Sequence, residues 1–328
     1  MGKLSCYIVG AGFMGETHLK CYQDYDAAEV LGVIDLNEEK GLALASRFGV
    51  KWFGTMEEAF AYKKADFCDI CLPSFLHRAF VIDAMERGAD VVCEKPFAIS
   101  IDDIDQMIEA SQRLSKRLMV AHVCRFMPQY YKAKEILDSG IIGKPVVYEC
   151  FRESETPMWS WNSWLFDKDK SGGTLLDLSI HDLDISNWFF GKPLSAKAEL
   201  AGIKPREFVN HTHSTLVYES GAVAHVTANH LLMKGHPFET SFKLIGTEGS
   251  VEYNSLVDPA VLKVYKEGSS EVIRLDELEG FDDSYGYELR DFVRALESGE
   301  EFRISPEEAR LAVNTVHTLY ENADLSLV

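Results

Sequence analysis

Over the first 120 residues, short apolar runs and amphipathic segments take turns with little between them. "SCYIVGAG" precedes "FMGETHLKCYQDY", "AEVLGVIDL" precedes "NEEKGLALASRFG", and "ADFCDICLP" precedes "HRAFVIDAMERG". "ADVVCEKP", "SIDDIDQMIEASQRLS" and "RLMVAHVCRF" continue the rhythm. Strands joined by helix-long crossovers pair in parallel, and helices then cover both faces of the sheet. Near-continuous apolar strands suit that burial. Residues 1–122 are therefore expected to form a doubly wound parallel sheet.

The pattern changes after Phe126. "MPQYYKAKEILDSG" has helical spacing with a Gly140 stop, and "KPVVYECFRES" reads as a strand. A tryptophan-rich stretch leads into "GGTLLDLSIHDLDISNWFFG", read as a helix over 174–190. From about Ser195 to Leu275 short alternating strands follow, with hairpin signals at "YESGAV" and "GTEGSV". Two closing helices are expected, near "SYGYELRDFVRALESG" and "SPEEARLAVNTVHTLYENA"; Ser305 with Glu308 forms a capping box and Pro306 suits the first helical position. At 328 residues the chain exceeds one ordinary core. The division expected is 1–122 and 123–328, the second an α+β domain on a mostly antiparallel sheet, with the C-terminal helix able to pack back on the first.

Charge narrows the partners. A net charge of -19 disfavours nucleic acid and anionic membrane surfaces, which attract basic chains. The sequence has no apolar run of the roughly 18 residues that span a bilayer, and its N-terminus lacks a long apolar leader. A cytoplasmic setting is the expectation. The seven cysteines then read as reduced packing residues. Cys68 and Cys71 form a CxxC inside a strand, where residues three apart face opposite ways, and no second pair follows. His211 and His213 lie two apart without nearby carboxylates or thiols. No metal is expected.

Gly10-Ala11-Gly12-Phe13-Met14-Gly15 is a GxGxxG between a strand and a helix, and Asp35 ends the next strand 20 residues after Gly15. This is the dinucleotide fingerprint in its proper context. Gly10 permits a tight turn, Gly12 lets backbone approach a pyrophosphate, and Gly15 allows close helix–strand packing. Helix N–H groups face the phosphates. FAD and S-adenosyl ligands share the motif. Asp35 accepts from both ribose hydroxyls and repels a 2′-phosphate, which favours NAD over NADP.

Ligands of such sheets sit beyond the carboxyl ends of the strands. Two further ends stand out, "CLPSFLH" and "CEKPF", each stopped by a proline, Pro73 or Pro96, that cannot donate to the ladder. Lys95 therefore projects near the nicotinamide end. Asp177, His181, Asp184 and Trp188, spaced i, i+4, i+7 and i+11, make one helical stripe. That stripe fits a polar cleft lining or a solvated face held by an Asp–His pair, and spacing alone does not choose between them. Trp159, Trp161 and Trp164 offer flat apolar walls for a sugar ring. Arg125, Tyr285 and Tyr287 are further candidates for the lining.

The GxGxxG, His77 of "PSFLH", "EKP" at Lys95 and "GGTLLDLSIHDLDISNW" together resemble the glucose–fructose oxidoreductase / inositol dehydrogenase / rhizopine catabolism (Gfo/Idh/MocA) family, along essentially the whole chain. The resemblance implies an NAD(P)-binding Rossmann domain and a C-terminal domain whose large open sheet forms a homodimer or homotetramer interface. It implies redox chemistry on a hydroxyl or keto carbon of a sugar, inositol or related polyol. Its lysine is Lys95, and its D-x-x-x-H pair is Asp177 and His181. Leu178-Ser179 departs from a pattern in which glycine is common. The peptide before Pro96 is often cis in the family.

The expected cofactor lining is Gly10, Gly12, Phe13, Met14, Gly15, Asp35, Leu72, Pro73, His77, Glu94 and Lys95. The expected substrate lining is Lys95, Arg125, Trp161, Asp177, His181 and Tyr285. His181 is the expected base, with Asp177 orienting it and Lys95 stabilising charge on the reacting oxygen. Two rivals belong to the same family: an NAD-requiring glycosidase and a non-catalytic nucleotide-binding regulator. Lys95, Asp177 and His181 argue against the regulator.

Overall fold

The computed structural model describes residues 2–158, 161–202 and 209–327. Two compact units emerge. The first comprises Met1–Val123 with Tyr285–Arg310, and the second Cys124–Ser284 with Leu311–Val328. The chain thus passes between units near Val123, but residues 285–310, read above as part of the second domain, belong with the first.

The first unit is built on six parallel strands: β1 Leu4–Val9, β2 Ala28–Ile34, β3 Lys51–Phe53, β4 Phe67–Ile70, β5 Asp90–Glu94 and β6 Leu118–Ala121. Their order is β3-β2-β1-β4-β5-β6, so the direction of winding reverses between β1 and β4. Strands β4 and β6 are buried at every residue, as a sheet covered on both faces requires. Local chemistry starts and stops the helices. Asn37 caps the helix Glu38–Phe48 by accepting from Lys40 N at 3.0 Å, and Gly49, at φ 69°, ends it. Ser100 caps Ile101–Leu114 through Asp103 N at 3.1 Å. The short strand β3 and the helix Met56–Tyr62 are additions to the sequence reading. From the returning segment, Phe292 packs its ring edge on Phe67, 5.3 Å between centroids.

The second unit carries nine strands: β7 Pro145–Glu155, β8 Pro193–Gly202, β9 Val209–Tyr218, β10 Val223–Leu232, β11 Glu239–Gly246, β12 Gly249–Asn254, β13 Val261–Lys266, β14 Ser269–Arg274 and β15 Ala323–Leu327. Their order is β14-β13-β12-β11-β7-β10-β9-β8-β15. Among the described residues only β10–β7 and β15–β8 pair in parallel, so the sheet is mixed and mostly antiparallel. Burial alternates along β7, with Tyr148, Cys150 and Arg152 inward and Glu149 and Phe151 outward. Tyr148 and Phe242 from the sheet and Phe189 from the helix Ile180–Phe190 build an aromatic core between them. The opposite face leaves Phe151 46% exposed and stacks His213 on His225. The capping box at Ser305 forms as expected: Glu308 N donates to Ser305 Oγ at 3.2 Å, and Ser305 N to Glu308 Oε2 at 3.0 Å.

Candidate active site

Three strand ends of the first unit gather the expected cofactor residues. After β1, Gly10 takes φ 111°, and a Cβ there would lie 2.5 Å from the Cys71 carbonyl oxygen. A Cβ on Gly15 would lie 1.9 Å from the carbonyl oxygen of Gly10. The chain itself demands those two glycines. Gly12 is different: a Cβ there meets nothing within 4 Å, so the space beside it is open to a ligand. It starts the helix Phe13–Gln23, and no side chain caps that end, which leaves a ready anion cradle. Phe13 is exposed and Met14 half-buried beside it.

Asp35, just past β2, accepts from Ala11 N and Asn37 N, both at 2.7 Å. Two backbone amides thereby aim its carboxylate at the glycine loop, and each oxygen retains lone-pair capacity for a further donor. The open cradle, the uncapped helix and this carboxylate fit a dinucleotide.

Past β4, Leu72 and Pro73 are half-buried. His77 is wholly buried, so it is not a direct lining group. Its Nε2 lies 2.8 Å from the Leu72 carbonyl oxygen and its Nδ1 3.0 Å from that of Pro96, so the ring sits between the two turns and a neutral ring donates to one of them. Burial pushes its pKa down, against carbonyl oxygens that favour the charged ring. Past β5, Glu94 is buried and accepts from Lys95 N at 3.0 Å. Lys95 is half-buried, and its peptide to Pro96 is cis. Tyr285 also lies in this unit, its ring 6.0 Å from that of His18.

In the second unit the expected single helix begins with a π-turn, Leu175–Ser179, before the α-helix Ile180–Phe190. A π-turn holds an extra residue, so the i, i+4 ruler slips at Asp177. Asp177 and His181 are half-buried. His181 Nδ1 faces Cys124 Sγ at 3.6 Å. Burial pushes the Cys124 thiol up to about 12, against the pull of Arg152, so it stays neutral. Asp177 lies 3.9 Å from His230, which also meets Ser154 Oγ at 2.8 Å. No sequence signal marked His230; it reads as an ordinary strand residue.

Two expectations are corrected here. Arg125 is 1% exposed, and its guanidinium fork closes on Asp184, with both N–O distances 2.8 Å. It is a core ion pair, not a substrate contact. Asp184 accordingly leaves the stripe, whose half-buried members are Asp177, His181 and Trp188. Asp182, unmarked in the sequence, makes a second such pair with Arg152 at 2.6 and 3.0 Å. Trp161 opens a 3₁₀ segment, Trp161–Phe166, in which Trp164 is half-buried; Trp159 lies outside the described residues.

The model of the Gfo/Idh/MocA oxidoreductase family, NAD-binding Rossmann fold, matches residues 4–122, and that of the family's C-terminal domain matches 130–252. The chain is 27% identical over 307 residues to a scyllo-inositol 2-dehydrogenase (NAD(+)) of Bacillus subtilis, covering 91% of this chain and 87% of that one. It is 24% identical over 315 residues to a myo-inositol 2-dehydrogenase of Thermotoga maritima, covering 93% and 92%. Among solved structures, an oxidoreductase from Agrobacterium radiobacter in complex with NAD+, L-tartaric acid and magnesium shares the fold at TM-score 0.87 and 23% identity, covering 98% of this chain and 96% of that one. Among the described residues, no helix is long and apolar enough to cross a membrane.

Proposed function

The chain belongs to the Gfo/Idh/MocA oxidoreductase family, and from that premise we propose that it is an NAD-dependent dehydrogenase of a sugar, inositol or related polyol. The observation that carries this reading is the half-buried Lys95 at the carboxyl end of β5, in the same sheet as the uncapped glycine loop. The inositol dehydrogenase relatives support the substrate class. The nicotinamide, when bound, supplies the carbon that exchanges hydride with substrate.

The chain's own groups do the rest. His181 takes the hydroxyl proton, its ring steadied by the neutral Cys124 thiol at Nδ1. Lys95 stabilises negative charge growing on the reacting oxygen. Asp177 holds a neighbouring hydroxyl and the His181 ring. Asp35, aimed at the loop by two amides, binds the adenosine ribose and rejects a 2′-phosphate. The open face of the nine-stranded sheet, with Phe151 among its exposed residues, joins copies of the chain into a dimer or tetramer.

An NADH-absorbance screen of the purified chain against inositols, aldoses, sugar acids and amino sugars tests this. The expected result is stoichiometric NADH from one class of free polyol. Release of an aglycone from a glycoside without net NADH would overturn it in favour of the glycosidase.

A further inference from the structure

The roles above leave a buried cluster of the first unit without a task. His18 comes from the helix after the glycine loop, Asp69 from β4, and Glu94 from the end of β5. His18 Nδ1 lies 2.9 Å from Asp69 Oδ2 in a hydrogen bond, while its Nε2, which makes no hydrogen bond among the described residues, stands 3.2 Å from Glu94 Oε1 as a charge contact. The Tyr22 hydroxyl at 3.0 Å and the Cys71 thiol at 3.2 Å also donate to Asp69. The other oxygen of Glu94 accepts the Lys95 amide.

A carboxylate therefore faces the imidazole at each nitrogen. A neutral ring would turn a lone pair toward one of them, and the doubly protonated ring avoids that repulsion. Burial opposes the charged ring, but the Asp69 charge and its hydrogen bond outweigh it and hold the His18 pKa well above the usual range. Glu288, on the helix Ser284–Ser298, completes the cluster. It is fully buried, and neither carboxyl oxygen has a hydrogen-bond partner among the described residues. Burial, with the Glu94 charge, holds its pKa well above the carboxyl range. Tyr285 closes the remaining side, 6.0 Å ring to ring.

We propose that His18 is a positioning residue, a buried clamp that fixes the distance between the glycine loop and the Lys95 turn by hydrogen-bonding Asp69 on one side and pairing in charge with Glu94 on the other. Phosphate and nicotinamide ends of one cofactor must keep a set separation, and His18 joins the elements that carry them. The effect on turnover rests on the dehydrogenase reading; the clamp itself is tested without substrate. A metal site is the rival, because single ligand atoms of His18, Asp69 and Cys71 lie within 4.8 Å of one another. A metal would need a ring lone pair, which an imidazolium lacks.

The test starts with the wild-type chain. With ¹⁵N-labelled histidine, the His18 ring, assigned through its proximity to Tyr22, should carry protons on both nitrogens at about pH 8. A neutral ring there, or stoichiometric metal in the purified chain, overturns the clamp. These measurements stand even if the variants fail to fold. In folded His18→Gln, kcat should fall at least ~10-fold, and the loss in His18→Gln/Glu94→Gln should be smaller than the product of the single losses. Wild-type kcat in His18→Gln overturns the proposal. If the wild-type chain oxidises no polyol, the dehydrogenase reading fails separately, and the ring protonation still decides the clamp.

Discussion

Behind each of two half-buried groups lies a buried charge cluster, and the two clusters use different ions. Behind Lys95, His18 stands between Asp69 and Glu94, with the buried Glu288, its pKa pushed up by burial, in the same cluster. Behind His181, Arg152 grips Asp182 and touches Cys124 Sγ at 3.4 Å, while Arg125 grips Asp184. A guanidinium keeps its charge throughout the range in which proteins stay folded; an imidazolium and a buried acid do not. The difference lies in the cations: the first unit's cluster is built on an imidazole that titrates, the second unit's on guanidiniums that do not.

The largest expected effect compares the two groups themselves. Lys95→Ala and His181→Ala should each lower kcat by about 10²- to 10⁴-fold while NAD binding stays nearly intact. Wild-type turnover in either variant removes that residue from the chemistry. Next comes the guanidinium scaffold. Arg125→Leu strands the buried Asp184 carboxylate and should cost about 3–5 kcal/mol in urea unfolding. Replacing both partners, Arg125→Leu with Asp184→Leu, should recover most of it. A single-variant loss below about 1 kcal/mol would mean that Asp184 finds water.

Asp35→Ala belongs to the first unit but should act through the ligand. Losing charge-assisted hydrogen bonds to the ribose should weaken NAD by about 1.5–3 kcal/mol and narrow its advantage over NADP. Titrating both nucleotides checks this, and an unchanged preference sinks the ribose assignment.

The smallest effect tests the pH contrast most directly. Glu288 titrates from 4.5 in the unfolded chain to a much higher folded value, so the folded chain keeps a proton that the unfolded chain releases. Stability therefore falls as pH rises between those values. His18 is raised too: its contribution is complete below 6.5 and fades as pH climbs through its folded value. Glu288→Gln removes the first slope and leaves the second. The drop in thermal midpoint from about pH 5 to about pH 8 should be smaller than in wild type. Equal drops would show that Glu288 does not titrate across that range.

Much of this molecule was legible locally. The glycine loop, the proline-stopped strand ends and the hairpins at Tyr218 and Gly246 involve residues within a few positions of each other. The helix Met56–Tyr62 has a local signal of the same kind: Thr55 and Glu58 repeat the cap seen at Ser305 and Glu308, with Glu58 N on Thr55 Oγ1 at 3.2 Å. Strand β15 had no such marker, since it pairs with β8 more than a hundred residues earlier. On 174–190 three members of the stripe stay half-buried, and Asp184 leaves it because Arg125, far off in the chain, closes on its carboxylate.

By itself the sequence determined the parallel sheet, the glycine loop and the placing of Lys95 at a strand end, because steric and periodic rules act over short spans of chain. Tertiary structure alone decided which charges stay half-buried and which close on a buried partner. Arg125 meets Asp184 across 59 residues and His18 meets Asp69 across 51. Whether such a group faces solvent or a partner depends on contacts that only the closed core creates.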